Sequence, residues 1–131
     1  MKKLLALLLL TTSLSATSIN FIDSSVFADK TVHISSSSVF ADMKVHISNS
    51  SVFADITFYI KRGSCGYADK TVHISSSSVF ADKIVHISSS SVFADKIVHI
   101  SNSSVFADKE LCIPDNISAE NAVAAAVVLG L

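Results

Sequence analysis

The sequence predicts an all-β fold of short strands, one from each of seven thirteen-residue repeats plus an eighth, with a short C-terminal helix. Three observations carry this. A unit best seen at Lys70 to Asp82, KTVHISSSSVFAD, recurs through most of the chain. Its Ala-Asp pairs end at Asp29, Asp42, Asp55, Asp69, Asp82, Asp95 and Asp108, thirteen residues apart except for fourteen between Asp55 and Asp69. After each Asp, apolar and polar residues alternate, as in Thr31-Val32-His33-Ile34, which is strand periodicity. A thirteen-residue period holds one strand and one turn and leaves no room for a helix.

Residues 1–18, MKKLLALLLLTTSLSATS, combine two lysines, an apolar run and small residues, the three parts of a secretory signal peptide. The run from Leu4 to Leu10 is shorter than the roughly 20 residues a membrane span requires. Cleavage after Ser18 places Ala16 and Ser18 at the small-residue positions; cleavage after Ser15 also fits. No cysteine follows the run for lipid attachment. The expected location is therefore secreted or periplasmic. Without Lys2 and Lys3 the mature chain has eight basic residues against eleven acidic ones, a balance that points to neither nucleic acid nor an anionic membrane as partner.

The repeat domain is assigned to residues 19–116. In the first copy Ile19, Asn20 and Phe21 stand where Val32, His33 and Ile34 stand in the second. The serines that follow each strand satisfy their own backbone in turns, Val-Phe supplies a second apolar point for the core, and Asp is expected to accept from backbone amides where the chain turns. One copy cannot fold alone. Ordering thirteen residues costs roughly 13–26 kcal/mol, and burying the Val, Ile, Val and Phe of one copy returns about 1.5–3 kcal/mol each. The copies must bury one another.

The fourth copy, ITFYIKRGSCGYAD, departs from the pattern. It has Tyr59 in the histidine register, one extra residue, the only arginine and two of the three glycines. An eighth strand, Lys109 to Ile113, keeps the register with Leu111 for Val and Cys112 for His, and Pro114 ends it. In the tail, residues 117–131, Ser118 suits an N-cap, Glu120 a first turn and Gly130 a C-terminus. A frayed or loosely docked short helix is expected there, with a partner-binding helix as the alternative.

The recurrent Val-x-Ile-Ser-x-Ser-x-x-x-Ala-Asp unit, in seven copies with an irregular fourth, is similar to that of the septoil-knot domain, from residue 19 to about 116. The resemblance implies a ring whose backbone ties a seven-crossing knot, and it implies no activity. Histidine stands where that family favours Tyr or Phe, and serine replaces most of its acidic and aromatic turn residues. Seven units that wind twice around a ring each advance two sevenths of a turn, so spatial neighbours are three and four units apart in sequence. The eighth strand then returns beneath the connection between the fourth and fifth, which predicts a Cys65–Cys112 disulfide, favoured by an oxidising compartment. A stacked solenoid would separate the two by about 14–19 Å, beyond the roughly 7 Å Cα separation that a disulfide tolerates.

Five histidines, His33, His46, His73, His86 and His99, share one register and offer ligands for Zn²⁺ or Cu²⁺. Two-turn winding brings His33 beside His73 or His86, and His46 beside His86 or His99; stacking would instead pair His33 with His46. Ser, His and Asp recur in every unit by the period itself rather than as one unlike constellation, so no catalysis is expected. There is no phosphate-binding glycine loop and no cofactor is expected. Asn49, Asn102 and Asn116 begin glycosylation-type triplets of a kind that arises by chance in Ser-rich sequence. Phe58, Tyr59, Lys61, Arg62 and Tyr67 in the irregular copy form a candidate interaction patch or, equally, the seam where the ring closes. A flat stacked array of Ser and Thr, suited to ice or glycan, is the other non-enzymatic reading. The expectation is a monomeric, exported, non-catalytic repeat module, with metal binding through the histidines as the alternative.

Overall fold

The computed structural model describes residues 16–22, 26, 28–62 and 70–130. Each unit contributes one strand: β1 (Ala16–Phe21), β2 (Lys30–Ser35), β3 (Met43–Ser48), β4 (Ile56–Arg62), β5 (Lys70–Ser75), β6 (Lys83–Ser88), β7 (Lys96–Ser101) and β8 (Lys109–Ile113). A single helix among the described residues, α1 (Ala119–Leu129), follows. β1 begins at Ala16, inside the last three residues of the expected leader.

All neighbouring strands are parallel, and the sheet closes into a barrel in the order β1-β5-β2-β6-β3-β7-β4-β8. Sequence neighbours are never spatial neighbours: β6 lies between β2 and β3. β2 to β4 sit beside strands three and four units away, as two-turn winding requires, and the stacked array is ruled out. The step differs from two sevenths of a turn. The ring has eight places, most connections advance two of them, and only the connection from β4 to β5 advances three, clearing both β8 and β1. That longer span falls where the sequence carries its extra residue, in a segment outside the described residues.

Counting from the residue after Asp, position three of one strand always faces position one of the next: Ile19 with Lys70, Val32 with Lys83, Phe58 with Lys109, and at the closing seam Leu111 with Thr17. An offset of two residues at all eight seams returns each strand to the same height. Equivalent positions therefore form level rings of eight. The shear is twice that of an eight-stranded barrel with a one-residue offset, so the strands tilt to roughly 55° and the wall widens to a radius of roughly 10 Å.

Position three supplies the central ring: Ile19, Val32, Val45, Phe58, Val72, Val85, Val98 and Leu111 are all buried. Position five adds buried Phe21 and Ile113 and the half-buried isoleucines 34, 47, 60, 74, 87 and 100. Small β-branched side chains leave the middle of so wide a barrel unfilled, and α1 fills it. Its residues Ala122 to Val128 are buried without interruption, which leaves no solvent-facing stripe, and they share one core with the strand residues. A helix apolar on every side needs such an enclosure. Ser118 caps it by accepting from the Asn121 amide, and Gly130, in the left-handed region at φ 75°, donates to the carbonyls of Ala126 and Val127. The tail is thus part of the core, not the loosely docked helix that its length suggested. Arg62, at the end of β4, fixes the entry to α1 by donating to the carbonyls of Pro114 (3.1 Å) and Ile117 (2.9 Å).

Candidate functional site

With α1 in the lumen, the surfaces open to a ligand are the outside of the ring and its rims. Each described connection crosses the outer face of the strand it skips and is clasped there by its aspartate. Asp42 donates its amide to the Ile84 carbonyl (2.7 Å) and accepts the Ile84 amide on Oδ2 (2.7 Å). Asp82 makes the same pair with Thr31, Asp95 with Lys44, Asp55 with Ile97 and Asp108 with Thr57. Asp29 does so with Thr71 and also accepts from its hydroxyl. The Thr71 amide, then its hydroxyl, hold the Asp29 carboxyl below the usual carboxylate range, with smaller help from Lys70 and Lys30. The expected aspartate–amide bonds are present, made to the strand beneath rather than to the next strand in sequence; Asp69 lies outside the described residues.

Serines build the rest of each connection from local bonds. Ser37 donates its amide to Ser35 Oγ and Val39 its amide to Ser37 Oγ, with equivalents at Ser50 and Val52, Ser77 and Val79, Ser90 and Val92, and Ser103 and Val105. A turn follows in which the Ala41 amide reaches the Ser38 carbonyl (3.3 Å), with Val39 and Phe40 at its tip.

Those tips are the largest departure from expectation. Val-Phe was assigned to the core, yet Val39, Phe40, Val52, Phe53, Val79, Phe80, Val92, Phe93, Val105 and Phe106 are 72–89% exposed, and Val26 in the first connection is 77% exposed. The lumen accepts only side chains from inward strand positions, and the clasp holds each connection outside the wall. Single exposed hydrophobes are ordinary; here the same pair recurs at five described tips.

The histidines form a belt. Position four faces outward, and around the ring it runs Asn20, His73, His33, His86, His46, His99, Tyr59, Cys112. The five imidazoles therefore sit on consecutive strands, in the pairings that two-turn winding predicts. Each is diagonal to the next, about 7–8 Å apart at Cα. Every Nδ1 lies 2.8–2.9 Å from a carbonyl of the neighbouring strand: His33 to Ser75, His46 to Ser88, His73 to Ile22, His86 to Ser35 and His99 to Ser48. A carbonyl only accepts, so Nδ1 carries a proton; in the neutral imidazole Nε2 then holds the lone pair. Among the described residues no group of three or more His, Cys, Asp or Glu is placed to hold a metal ion.

Of the proposed patch in the irregular copy, Phe58 is not at the surface: it is a member of the central ring and fully buried. Arg62 is engaged with the Pro114 and Ile117 carbonyls. Lys61 is exposed, Tyr59 is half-buried and Tyr67 lies outside the described residues. Nor do Phe58, Tyr59, Lys61 and Arg62 lie at the seam where the ring closes, which is β1 with β8, since β4 pairs with β7 and β8. Cys65 also lies outside the described residues, while Cys112 faces outward on β8 and is 5% exposed. A cavity of about 340 Å³ opens beside the end of α1, lined by Asp29, Lys30, Lys70, Val72 and Leu129.

No described helix is long and apolar enough to cross a membrane. No family model matches the chain, and no curated protein is found similar to it.

Proposed function

We propose that this protein is an exported, non-catalytic interaction module, a rigid β ring of the septoil-knot type that displays Val-Phe turn tips to a partner with an apolar surface. The observation that carries the reading is the exposure of those tips. Five described connections present the same dipeptide outward, on turns whose serines and aspartates are already engaged in holding the connection in place. The repeated His, Ser and Asp serve the backbone, which supports a structural rather than a chemical role for them. The chain order around the ring makes nearly two circuits, β1 to β4 and then β5 to β8 in the gaps, and this interleaving supports the knotted topology. A Cys65–Cys112 bridge belongs to the same reading. Export rests on the leader, and a monomer is the working state.

The test is a variant with Phe40, Phe53, Phe80, Phe93 and Phe106 all changed to Ser. Surface substitutions of this kind alter stability by no more than about 0.5 kcal/mol each, so the fold should persist. Retention on a phenyl matrix and co-sedimentation with the exporting cell's envelope should both be lost. Binding equal to that of the unaltered protein removes the reading.

A second reading, binding of Zn²⁺ or Cu²⁺, is favoured by the uniform Nδ1–H state of the belt, which leaves each Nε2 able to coordinate and is the orientation that backbone carbonyls impose on metal-binding histidines. Only pairs such as His33 with His86 come together, so affinity would be modest. A ligand at a hundred times its Kd stabilises the native state by about 2.7 kcal/mol. Under this reading Zn²⁺ raises the melting temperature, and His86→Asn, which breaks the centre of the belt, reduces the rise. A melting temperature indifferent to Zn²⁺ eliminates it.

A further inference from the structure

The closing seam carries an inference about processing that rests on the leader reading above: we infer that leader removal spares Ala16–Ser18, so that the exported chain begins no later than Ala16. β1 is divided between two neighbours. Ala16, Thr17 and Ser18 pair with Glu110, Leu111 and Cys112 of β8, whereas Ile19, Asn20 and Phe21 pair with Lys70, Thr71 and Val72 of β5. Cleavage after Ser18 would therefore not shorten the β1–β8 seam; it would delete it and leave the β1–β5 seam whole.

The deleted pairing is equivalent to the other seven. Thr17 and Ser18 occupy positions one and two of the unit, and the offset between Thr17 and Leu111 is the same two residues found at every other seam. Without it β8 would remain bonded to β4 on one side and present unpaired backbone from Glu110 to Cys112 on the other. An open edge of parallel strand is a pairing hazard, and backbone groups taken from a ladder without replacement are costly. The edge would also lie over part of the core, since Leu111, Cys112 and Ile113 are all buried. Cleavage after Ser15, with Ser13 and Ser15 as the small residues that such processing requires, preserves all of β1.

The experiment uses the full chain, expressed in an exporting bacterium, with intact mass and N-terminal sequence measured on the folded exported product. A first residue at Ala16, or between the apolar run and Ala16, supports the inference. A first residue at Thr17, Ser18 or Ile19 overturns it while leaving the leader reading intact. A chain that retains Met1 overturns both, and the retained leader makes that failure recognisable. As a second measurement, chains starting at Ala16 and at Ile19 are compared by hydrogen exchange. Amide protection at Glu110–Cys112 should fall at least tenfold in the shorter chain; equal protection overturns the inference.

Discussion

Val123→Asp is expected to unfold the protein or to lower its stability by about 4 kcal/mol or more, the range reached when an unpaired charge is placed in a core. Val123 is fully buried in α1, within a run of seven consecutive buried residues. A surface helix has a face from which a new carboxylate can reach water; a helix enclosed by a barrel has none. The substitution also removes contacts with the strand residues that share the core. Val123→Ala separates the two contributions, since it loses apolar volume without adding charge and should cost roughly 1–3 kcal/mol. Glu120→Ala, at an exposed position of the first turn, should stay within about 0.5 kcal/mol. Urea denaturation followed by far-ultraviolet circular dichroism measures all three. Should Val123→Asp unfold at the same urea concentration as the unaltered chain, α1 does not occupy the lumen.

The position of that helix shows where sequence reasoning stopped. Ser118, Glu120 and Gly130 marked its ends correctly, because capping is local chemistry. Its destination is a property of the barrel. Nine of its eleven residues are apolar, a composition suited to burial on all sides, but a reading based on its short length and terminal place assigned it to the periphery. The need for a central element follows only from the two-residue offset at each seam, which sets the width of the wall.

The same distinction separates the other expectations. Periodicity exposed the strands, and the arithmetic of a double circuit placed His33 beside His73 and His86. The eighth strand was legible, because Leu111 and Cys112 keep the register of Val and His, but its equal place in the ring was not: a step of two sevenths of a turn counts only the full units, whereas eight strands share the circuit. Val-Phe misled for a different reason. Apolar residues at a fixed period read as core, yet the residues that enter the lumen are those of inward strand parity, and Phe40 and its equivalents lie in the connections. Phe58 shows the converse. Its aromatic character suggested a partner surface, while its position in the strand assigned it to the central ring.

Reduction of the proposed Cys65–Cys112 bridge is expected to cost about 4 kcal/mol, from the loop-closure entropy of the segment between the two cysteines. The proposal is supported by what the fourth connection must cross. Six described aspartates each clasp a connection to the one strand beneath it. The β4–β5 connection passes two strands, β8 and β1, and its cysteine precedes Asp69 by four residues. On β8, outward position four carries Cys112 where the regular units carry histidine, and it is buried although it faces away from the lumen. No described cysteine is a free thiol, and the sequence contains two in all. Under the proposed bridge, cysteine would do at β8 what aspartate does elsewhere, holding a connection against the strand it skips. Cys65→Ala and Cys112→Ala should each lower the melting temperature to the value of the double variant, because either change breaks the same link. Two alkylatable thiols in the exported protein, or losses that add in the double variant, would show that the connection is held some other way.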